Sequence, residues 1–545
     1  MASRSKTESF VTEIELLPTG KQVKKLRSKF EAARQVYNAA LGEARKRMRL
    51  MRESRAWQAT RKMPKGKERN SEFKRLKAQF GFREYDLHSW GKQFTVSWIN
   101  PHIRARTVEA TITRAFKAAE EHLHHPDRKH LRFRRQGELR SVEGKTKSCC
   151  RWKGDRIEWG RGFVVKARIE SSDPVQQHGL TANVKYVRVV RRIIREHERF
   201  FAQLVCEGNA YRKAAHQPAE GVVGLDVGTQ TVAIVGESVA RLKCFCPEVD
   251  RDDKRVRRIQ RAMDRSRRAM NPINFREDGG IAVPPRGQRL TWVSSHGYQR
   301  LRTRLSELLR KEADHRKNLH GQLVAEVLSF GNDVRFEKLQ YGSWAKKAKR
   351  DGNRKRKRFG KSVGRRAPGM FIARLKTEAD KWGARWDEFP TRTTRLSQTC
   401  HCGHRARKTL GQRTHKCPEC GAFAQRDLYS AYLARFVENG TLHADQASKA
   451  WSRNCAALGA AWSAIKHANG LPASLGLRDR DRAACSQNGM QNSGEGVDAV
   501  TRGKPTSESH AEPLEKCQSI VFFADDSLST FANGSDYKAS GVGSG

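Results

Sequence analysis

Apolar positions recur along this chain with two periods. Residues 10–18 (FVTEIELLP) predict a short strand. From 20 to about 60, Val23, Leu26, Phe30, Ala33, Tyr37, Ala40 and Leu41 recur at helical spacing with Lys and Arg between them. Residues 62–125 continue as basic helices carrying Phe80, Trp90, Phe94 and Trp98. Most of these aromatics read as core and a minority as surfaces for stacking on bases. Over 128–220 the pattern turns to short strands (RIEWGRGFVVKARI, YVRVVRRI, RFFAQLVCEG) with basic turns, and 208–221 reads as a linker. Strands at 222–226 and 230–236, with RLKCFCPEV as a third, predict an antiparallel meander. Long helices follow at 251–270 and 298–330 around a Pro/Gly-containing loop, 271–289. A strand at 333–339, a helix at 370–382, a strand at 384–390 and a helix at 426–438 complete the pattern.

Two of those strands break their apolar pattern with an acid. Asp226 stands in GVVGLDVG and Glu337 in DVRFEKL, while Asp427 opens the helix of QRDLYSAYLARF. A lone carboxylate in an apolar strand is costly unless a partner or a metal meets it. At a helix start, a carboxylate also gains from the helix dipole. Singly, Asp427 reads equally as an ordinary first-turn residue and Glu337 as a salt-bridge partner of an Arg. Together the three fit phosphodiester cleavage. Two Mg²⁺ ions about 4 Å apart activate water and stabilise the leaving oxygen, and hard carboxylate oxygens hold them. The expected catalytic and Mg-binding residues are therefore Asp226, Glu337 and Asp427, with Mn²⁺ as a substitute ion. Gly224 and Gly228 are expected to let substrate backbone approach Asp226.

Between Glu337 and Asp427 lies a cysteine cluster, TCHCGHRARKTLGQRTHKCPECG. Cys400, Cys402, Cys417 and Cys420 form C-x-C, fourteen residues, then C-P-E-C-G. A Gly-bearing knuckle lets two thiolates face one tetrahedral Zn²⁺, and the closed set of four predicts a structural ion. C-x-C is tighter than the usual C-x-x-C, so His404 stands as an alternative fourth ligand to Cys402. Cys149, Cys150, Cys206, Cys244, Cys246, Cys455, Cys485 and Cys517 show no such pairing, and the usage fits a reducing cytosol.

Charge indicates the partner. With 108 Lys and Arg against 58 Asp and Glu, the net charge is +50, which points to a polyanion bound with counterion release. Residues 345–367 (AKKAKRDGNRKRKRFGKSVGRRA) hold 12 Lys/Arg and one Asp. Within them Lys346, Lys347, Lys349, Arg350, Arg354, Lys355, Arg356, Lys357 and Arg358 are expected to bind nucleic acid, or else to form a solvated loop. Arg255, Arg258 and Arg261 of the 251–270 helix are expected to join them. The longest near-apolar run, 456–465, is too short for the ~20 residues of a membrane span. No apolar signal core follows the N-terminus, so a cytoplasmic, prokaryotic setting near the nucleoid is expected. From 487 onward the chain carries 8 acidic and 4 basic residues with abundant Ser, Gly and Asn, the composition of a disordered tail.

The segments GLDVGTQTVAIV, FEKL, TCHCG…KCPECG and QRDLYSAYLARF resemble the split RuvC domain and zinc ribbon of TnpB proteins and the compact type V CRISPR effectors. The resemblance is close over 221–440 and looser before it. It departs from the family in the C-x-C half of the cluster, and in Tyr429, which stands where the family's D-x-N-A-A pattern has Asn. It implies an α/β multidomain fold: an RNase H-like (RuvC) nuclease domain with a zinc-ribbon insert, preceded by a β-barrel wedge domain that a helical recognition lobe interrupts. Residues 1–19 would begin the wedge, 20–127 form the helical lobe and 128–220 complete the wedge barrel. Residues 221–396 would form the RuvC domain with a helical insertion at 250–325. Residues 397–424 would be the zinc ribbon, 425–470 the last RuvC helices and 471–545 the tail. The implied activity is guide-RNA-directed cleavage of complementary double-stranded DNA beside a short flanking motif. The extra length tilts the reading toward the CRISPR effectors over TnpB. Two alternatives stay open: a guided protein that binds DNA and silences without efficient cleavage, and an unguided transposase or recombinase.

Overall fold

The computed structural model describes residues 8–124, 131–144, 149–160, 162–250, 253–285, 288–345, 359–409 and 411–466. Two compact units meet in the chain between Tyr211 and Arg212, inside the segment expected to be a linker.

The first unit is built on strands β1 (Ser9–Leu16), β2 (Ser141–Gly144), β3 (Cys150–Lys153), β4 (Arg156–Trp159), β5 (Val164–Arg168), β6 (Val184–Ile194) and β7 (His197–Glu207). They form one antiparallel sheet in the order β2-β6-β7-β1-β5-β4-β3. β1 alternates partly exposed and buried residues, as a half-covered strand must. The sheet curls until its ends meet: a Cβ on Gly144 of β2 would lie 2.7 Å from the Cys150 Cβ of β3.

Helix α1 (Gly20–Glu53) starts at a capping box. The Thr19 hydroxyl accepts the Gln22 N–H while the Gln22 side chain accepts the Thr19 N–H. Leu26, Phe30, Ala33, Tyr37, Leu41, Ala44 and Met48 make its buried stripe, which packs against helix α2 (Ala105–His124) and the sheet. Lys29 sits in this core. Its ammonium donates to the His102 carbonyl at 2.8 Å and lies 5.0 Å from the Trp159 ring centre, and burial pulls its pKa down to about 8.

The second unit is built on strands β8 (Val222–Val227), β9 (Thr231–Val235), β10 (Ala240–Cys244), β11 (Asp333–Glu337) and β12 (Arg385–Phe389), in the order β10-β9-β8-β11-β12. The first three form the expected antiparallel meander, while β11 runs parallel to both β8 and β12. Helices α3 (Asp253–Met270) and α4 (His296–Leu328) separate β10 from β11, and α5 (Pro368–Trp382) precedes β12.

Alternation along β8 decides which helices cover which face. Val223, Leu225 and Val227 face α4 and α5 through Leu323, Val327, Phe371 and Leu375. The opposite face meets helices α6 (Arg426–Ala434) and α7 (Ala444–Lys466) through Leu428, Ala431, Leu458 and Trp462. Gly224 points to that second face. A Cβ there would lie 1.8 Å from the Ala431 carbonyl oxygen, so the missing side chain lets α6 lie directly on the sheet. The expectation that Gly224 admits substrate is thus corrected: the backbone it admits is the protein's own. Gly228 instead sits in the tight β8–β9 turn, with Thr231 atoms 3.1 and 3.2 Å from an added Cβ.

Helix α6 ends at Ala434, four residues short of the expected 438. Val437–Glu438 pairs with Thr441–Leu442 across Asn439 and Gly440, both at positive φ. An Asn-Gly hairpin turn takes over where helical spacing had suggested continuation.

Candidate metal centres and nucleic-acid interface

The three acids come from separate elements to one end of the second sheet. Asp226 lies near the C-terminal end of β8, on the Gly224 face. Glu337 ends β11, one step beyond the paired positions Leu225 and Phe336, and so falls level with Asp226 on the adjacent parallel strand. Neighbouring strands lie about 4.8 Å apart, and residues level with one another share a face. Asp427 is in the first turn of α6, the helix lying on that face. The Gln425 side chain caps α6 by accepting the Leu428 N–H at 2.7 Å, which fixes the turn carrying Asp427.

Asp427 is buried. It accepts a hydrogen bond from the Thr231 hydroxyl at 3.2 Å and two from the Arg426 guanidinium at 3.3 Å each. Asp226 and Glu337 are half-buried. Burial, followed by the charges of Asp427 and Glu337, holds the Asp226 carboxyl well above the usual carboxylate range, against the opposing pull of Arg426 and Arg413. Burial pushes Glu337 up to about 7, although it accepts the Leu396 N–H and the Thr394 hydroxyl. Tyr341 closes one side by donating its O–H to the Val227 carbonyl at 3.0 Å. Asp226, level with Glu337 and facing the charge of Asp427, is the acid on which the others act. Hard oxygen donors with excess negative potential fit Mg²⁺ or Mn²⁺.

The cysteines need no such assembly across the chain. The thiols of Cys400, Cys402, Cys417 and Cys420 all lie within 4.8 Å of one another. Among the described residues they are the one group of three or more candidate ligands that compact, and the carboxylates are spread more widely. Cys400 and Cys420 are 3.4 Å apart, Cys402 and Cys417 3.6 Å. Tetrahedral Zn–S bonds of about 2.3 Å put sulfur atoms roughly 3.8 Å apart, so the set fits zinc. His404 is not in it. Its ring faces Glu419 at 3.7 Å and its carbonyl accepts the Cys400 N–H, so the C-x-C half supplies both thiols through that turn. Strands β13 (Thr414–Lys416) and β14 (Phe423–Gln425) form the hairpin that brings the CPECG half in and leads directly into α6.

Of the expected nucleic-acid contacts, Arg255, Arg258 and Arg261 are exposed along α3. The helix buries Ile259 and half-buries Val256, Met263 and Ser266 on one stripe, leaving these three arginines on the exposed faces. An open groove on it is lined by Arg257, Gln260, Arg261, Asp264 and Arg265. Lys346, Lys347, Lys349, Arg350, Arg354, Lys355, Arg356, Lys357 and Arg358 lie outside the described residues, as does 471–545.

Arg413 is a functional candidate that sequence reasoning missed. It sits in the spacer between the cysteine pairs and has no motif to mark it. Yet it is close enough to Asp226 and Asp427 for their charges to act on it, against a burial that lowers its pKa. Thr231 escaped notice in the same way.

Two family models match the chain. Residues 369–433 match the Cas12f1-like TNB domain, and residues 11–52 match a helix-turn-helix domain of the IS605 OrfB type. Over 11–52 the structure has β1 followed by the single helix α1, rather than two helices joined by a turn. No curated protein matches the chain. Among solved structures, a Cas12f1–sgRNA–target DNA complex aligns at 10% identity and a TM-score of 0.38, covering 78% of this chain and 98% of that one. A CRISPR-Cas12f ternary complex aligns at 13% identity and 0.25, covering 75% and 81%. CasPhi-2 (Cas12j) bound to crRNA and phosphorothioate-DNA aligns at 11% identity and 0.27, covering 78% and 91%. Among the described residues no helix is long and apolar enough to cross a membrane. Two stretches, one in each unit, are thus similar to domains of the Cas12f1-like and IS605 OrfB types.

Proposed function

We propose that the chain is an RNA-guided DNA endonuclease with one cleavage site, formed by Asp226, Glu337 and Asp427. The observation that carries this reading is their meeting: acids 111 and 90 residues apart in sequence end on two adjacent parallel strands and the helix laid over them. The strand order and mixed directions are those of an RNase H-like sheet, which supports the RuvC assignment for 221–396 with helices inserted at 250–325. That β1 pairs with strands from 164–207 supports assigning 1–19 and 128–220 to one wedge domain around the helical lobe 20–127. The ribbon 397–424 and the helices of 425–470 complete the nuclease part.

In this reading Asp226, Glu337 and Asp427 hold two Mg²⁺ ions, with Mn²⁺ able to replace them. When bound, these supply an activated water and stabilise the leaving oxygen. Thr231 and Arg426 fix the Asp427 carboxylate, and Arg413 stands where it can meet a phosphate brought to the acids. Cys400, Cys402, Cys417 and Cys420 hold a structural zinc. The α3 arginines, with the lysines and arginines of 346–358, grip guide and target by their phosphates, while base pairing reads the sequence. The compact type V reading is kept ahead of TnpB on the chain's extra length, while the matches point both ways, 369–433 to a Cas12f1-like domain and 11–52 to one of the IS605 OrfB type.

The test has two parts. Protein expressed with its native flanking DNA is purified and its RNA sequenced; a discrete RNA with a constant and a variable part is expected. That complex is then given matched DNA and Mg²⁺. Asp226→Ala should lower cleavage by more than about 100-fold, the worth of several kcal/mol in the transition state, and leave guided binding intact. Heterogeneous RNA would remove the guide from the reading, and undiminished cleavage by a folded Asp226→Ala protein would remove the site.

A further inference from the structure

Tyr429 joins the two metal centres. It is 1% exposed and lies two residues after Asp427, on the first turns of the same short helix. Its ring does not turn toward the carboxylates. The hydroxyl lies 3.2 Å from the Cys400 sulfur and 2.8 Å from His401 Nδ1, and it accepts the His401 backbone N–H at 2.9 Å. His401 extends the chain of contacts, its Nε2 lying 3.8 Å from the Cys420 sulfur. The Tyr429 ring stacks on His415 at 3.9 Å and 17°, and Lys408 holds that histidine through Nδ1. Trp451 of α7 closes the cluster, stacked on His401 at 4.8 Å and edge-on to Tyr429 at 5.4 Å.

A phenol has one proton to give. With Cys400 ionised, the thiolate is the stronger acceptor, and hydrogen bonds to charged groups are worth about twice those to neutral ones. The Tyr429 proton then belongs to Cys400. His401 Nδ1–H can donate to the phenol oxygen beside the His401 N–H, which gives the phenol oxygen two donors while its own proton goes to Cys400. A metal–thiolate is held in place by such outer donors, and their loss typically costs about 10–100-fold in metal affinity.

We propose that Tyr429 is a positioning residue that holds the Cys400 thiolate for zinc and, through the first turn of α6, ties zinc occupancy to the placement of Asp427. Zinc-loaded, the ribbon anchors the phenol, the phenol anchors the helix start, and Asp427 stays in reach of Asp226. Without zinc the anchor is lost and the carboxylate set loosens. The inference rests on zinc and on the carboxylate site as proposed above.

The experiment is competitive chelation. Wild-type protein and the variants Tyr429→Phe and His401→Phe are titrated with a chromogenic zinc chelator. Mn²⁺ binding to the same samples, zinc-loaded and zinc-stripped, is followed by electron paramagnetic resonance. Tyr429→Phe keeps the ring and its stacking, so fold is retained while the O–H is lost. The expected result is zinc affinity lower by about 10-fold or more in Tyr429→Phe, a smaller loss in His401→Phe, and Mn²⁺ affinity that falls on zinc removal in wild type. Variants that retain zinc like wild type would overturn the inference, as would Mn²⁺ binding indifferent to zinc. Wild-type protein that takes up no zinc would overturn the metal reading along with it.

Discussion

The cysteine centre and the carboxylate centre are built in opposite ways. Four thiols within 21 residues are brought together by one turn and one hairpin, Cys400–Gly403 and β13–β14. Three acids spread over 202 residues meet only because a sheet, a parallel crossover and a helix-on-glycine contact are all in place. The first centre can help fold the chain around it, while the second is a product of the fold and a burden on it. A structural zinc repays its binding energy as folding energy. Burial holds Asp226 and Glu337 above the usual carboxylate range, which costs stability when they are ionised.

The largest break in that contrast is expected from Cys417→Ser. Apparent zinc binding in such sites is worth about 10–16 kcal/mol, so the ribbon should open. Limited proteolysis should then cut within 397–425, and the thermal transition should fall or broaden.

Next in size is Gly224→Ala. Its Cβ meets the Ala431 carbonyl, so α6 must lift off the sheet, at a cost of about 3 kcal/mol in denaturant unfolding. Gly228→Ala meets only Thr231 at 3.1 Å and should cost well under half as much. Both glycines are visible in GVVGLDVG, but which of them carries packing is not, because the helix that lies against Gly224 comes some 200 residues later.

Removing one acid should have the opposite sign. Without divalent ions, Asp226→Asn should stabilise the second unit, because burial and the charges of Asp427 and Glu337 disfavour the ionised carboxyl, read as a rise in Tm. A fall in Tm would mean the acids are already balanced by Arg413 and Arg426.

The smallest effect is a pH slope. Glu337 has a folded pKa raised from 4.5 to about 7. The folded state therefore holds a proton that the unfolded chain gives up. The stability linked to that proton is whole below about 4.5 and is lost as pH rises to about 7. Metal-free protein should thus lose stability across that window, and Glu337→Gln should flatten the slope. Saturating Mg²⁺ should reverse it by favouring the ionised form.

The same contrast explains what the sequence discloses. The zinc set is local, so spacing alone nominates Cys400, Cys402, Cys417 and Cys420; choosing Cys402 over His404 takes the turn geometry that sends the histidine to Glu419. The acids are non-local, yet each interrupts an apolar pattern, and that interruption can be read without knowing the partners. Arg413, Thr231 and Tyr429 interrupt nothing, and only the fold brings them to the centres. Strands β8 and β9 fall within a residue of their expected limits because they are nearly continuous apolar runs between Gly and Ser turns, while the third strand, expected over 241–249, ends at Cys244. The α6 boundary is missed because Asn439-Gly440, a strong hairpin signal, follows a helix whose apolar spacing runs on through Phe436.

One feature of the first unit bears on how the protein is made. β1 is the fourth strand of seven, in the middle of its sheet, and Phe10 pairs with Cys206 and Leu16 with Phe200. Once made, β1 must therefore wait for nearly two hundred further residues before its longest partner exists. At 5–20 residues per second that wait is roughly 10–40 s. Through that interval an alternating apolar strand stands with both edges open, and the capped helix α1 behind it is the one neighbour already able to form and shield its inner face. A chain released early, before β7, would keep that open strand for good, so premature termination in this gene makes an aggregation-prone fragment rather than a smaller working domain.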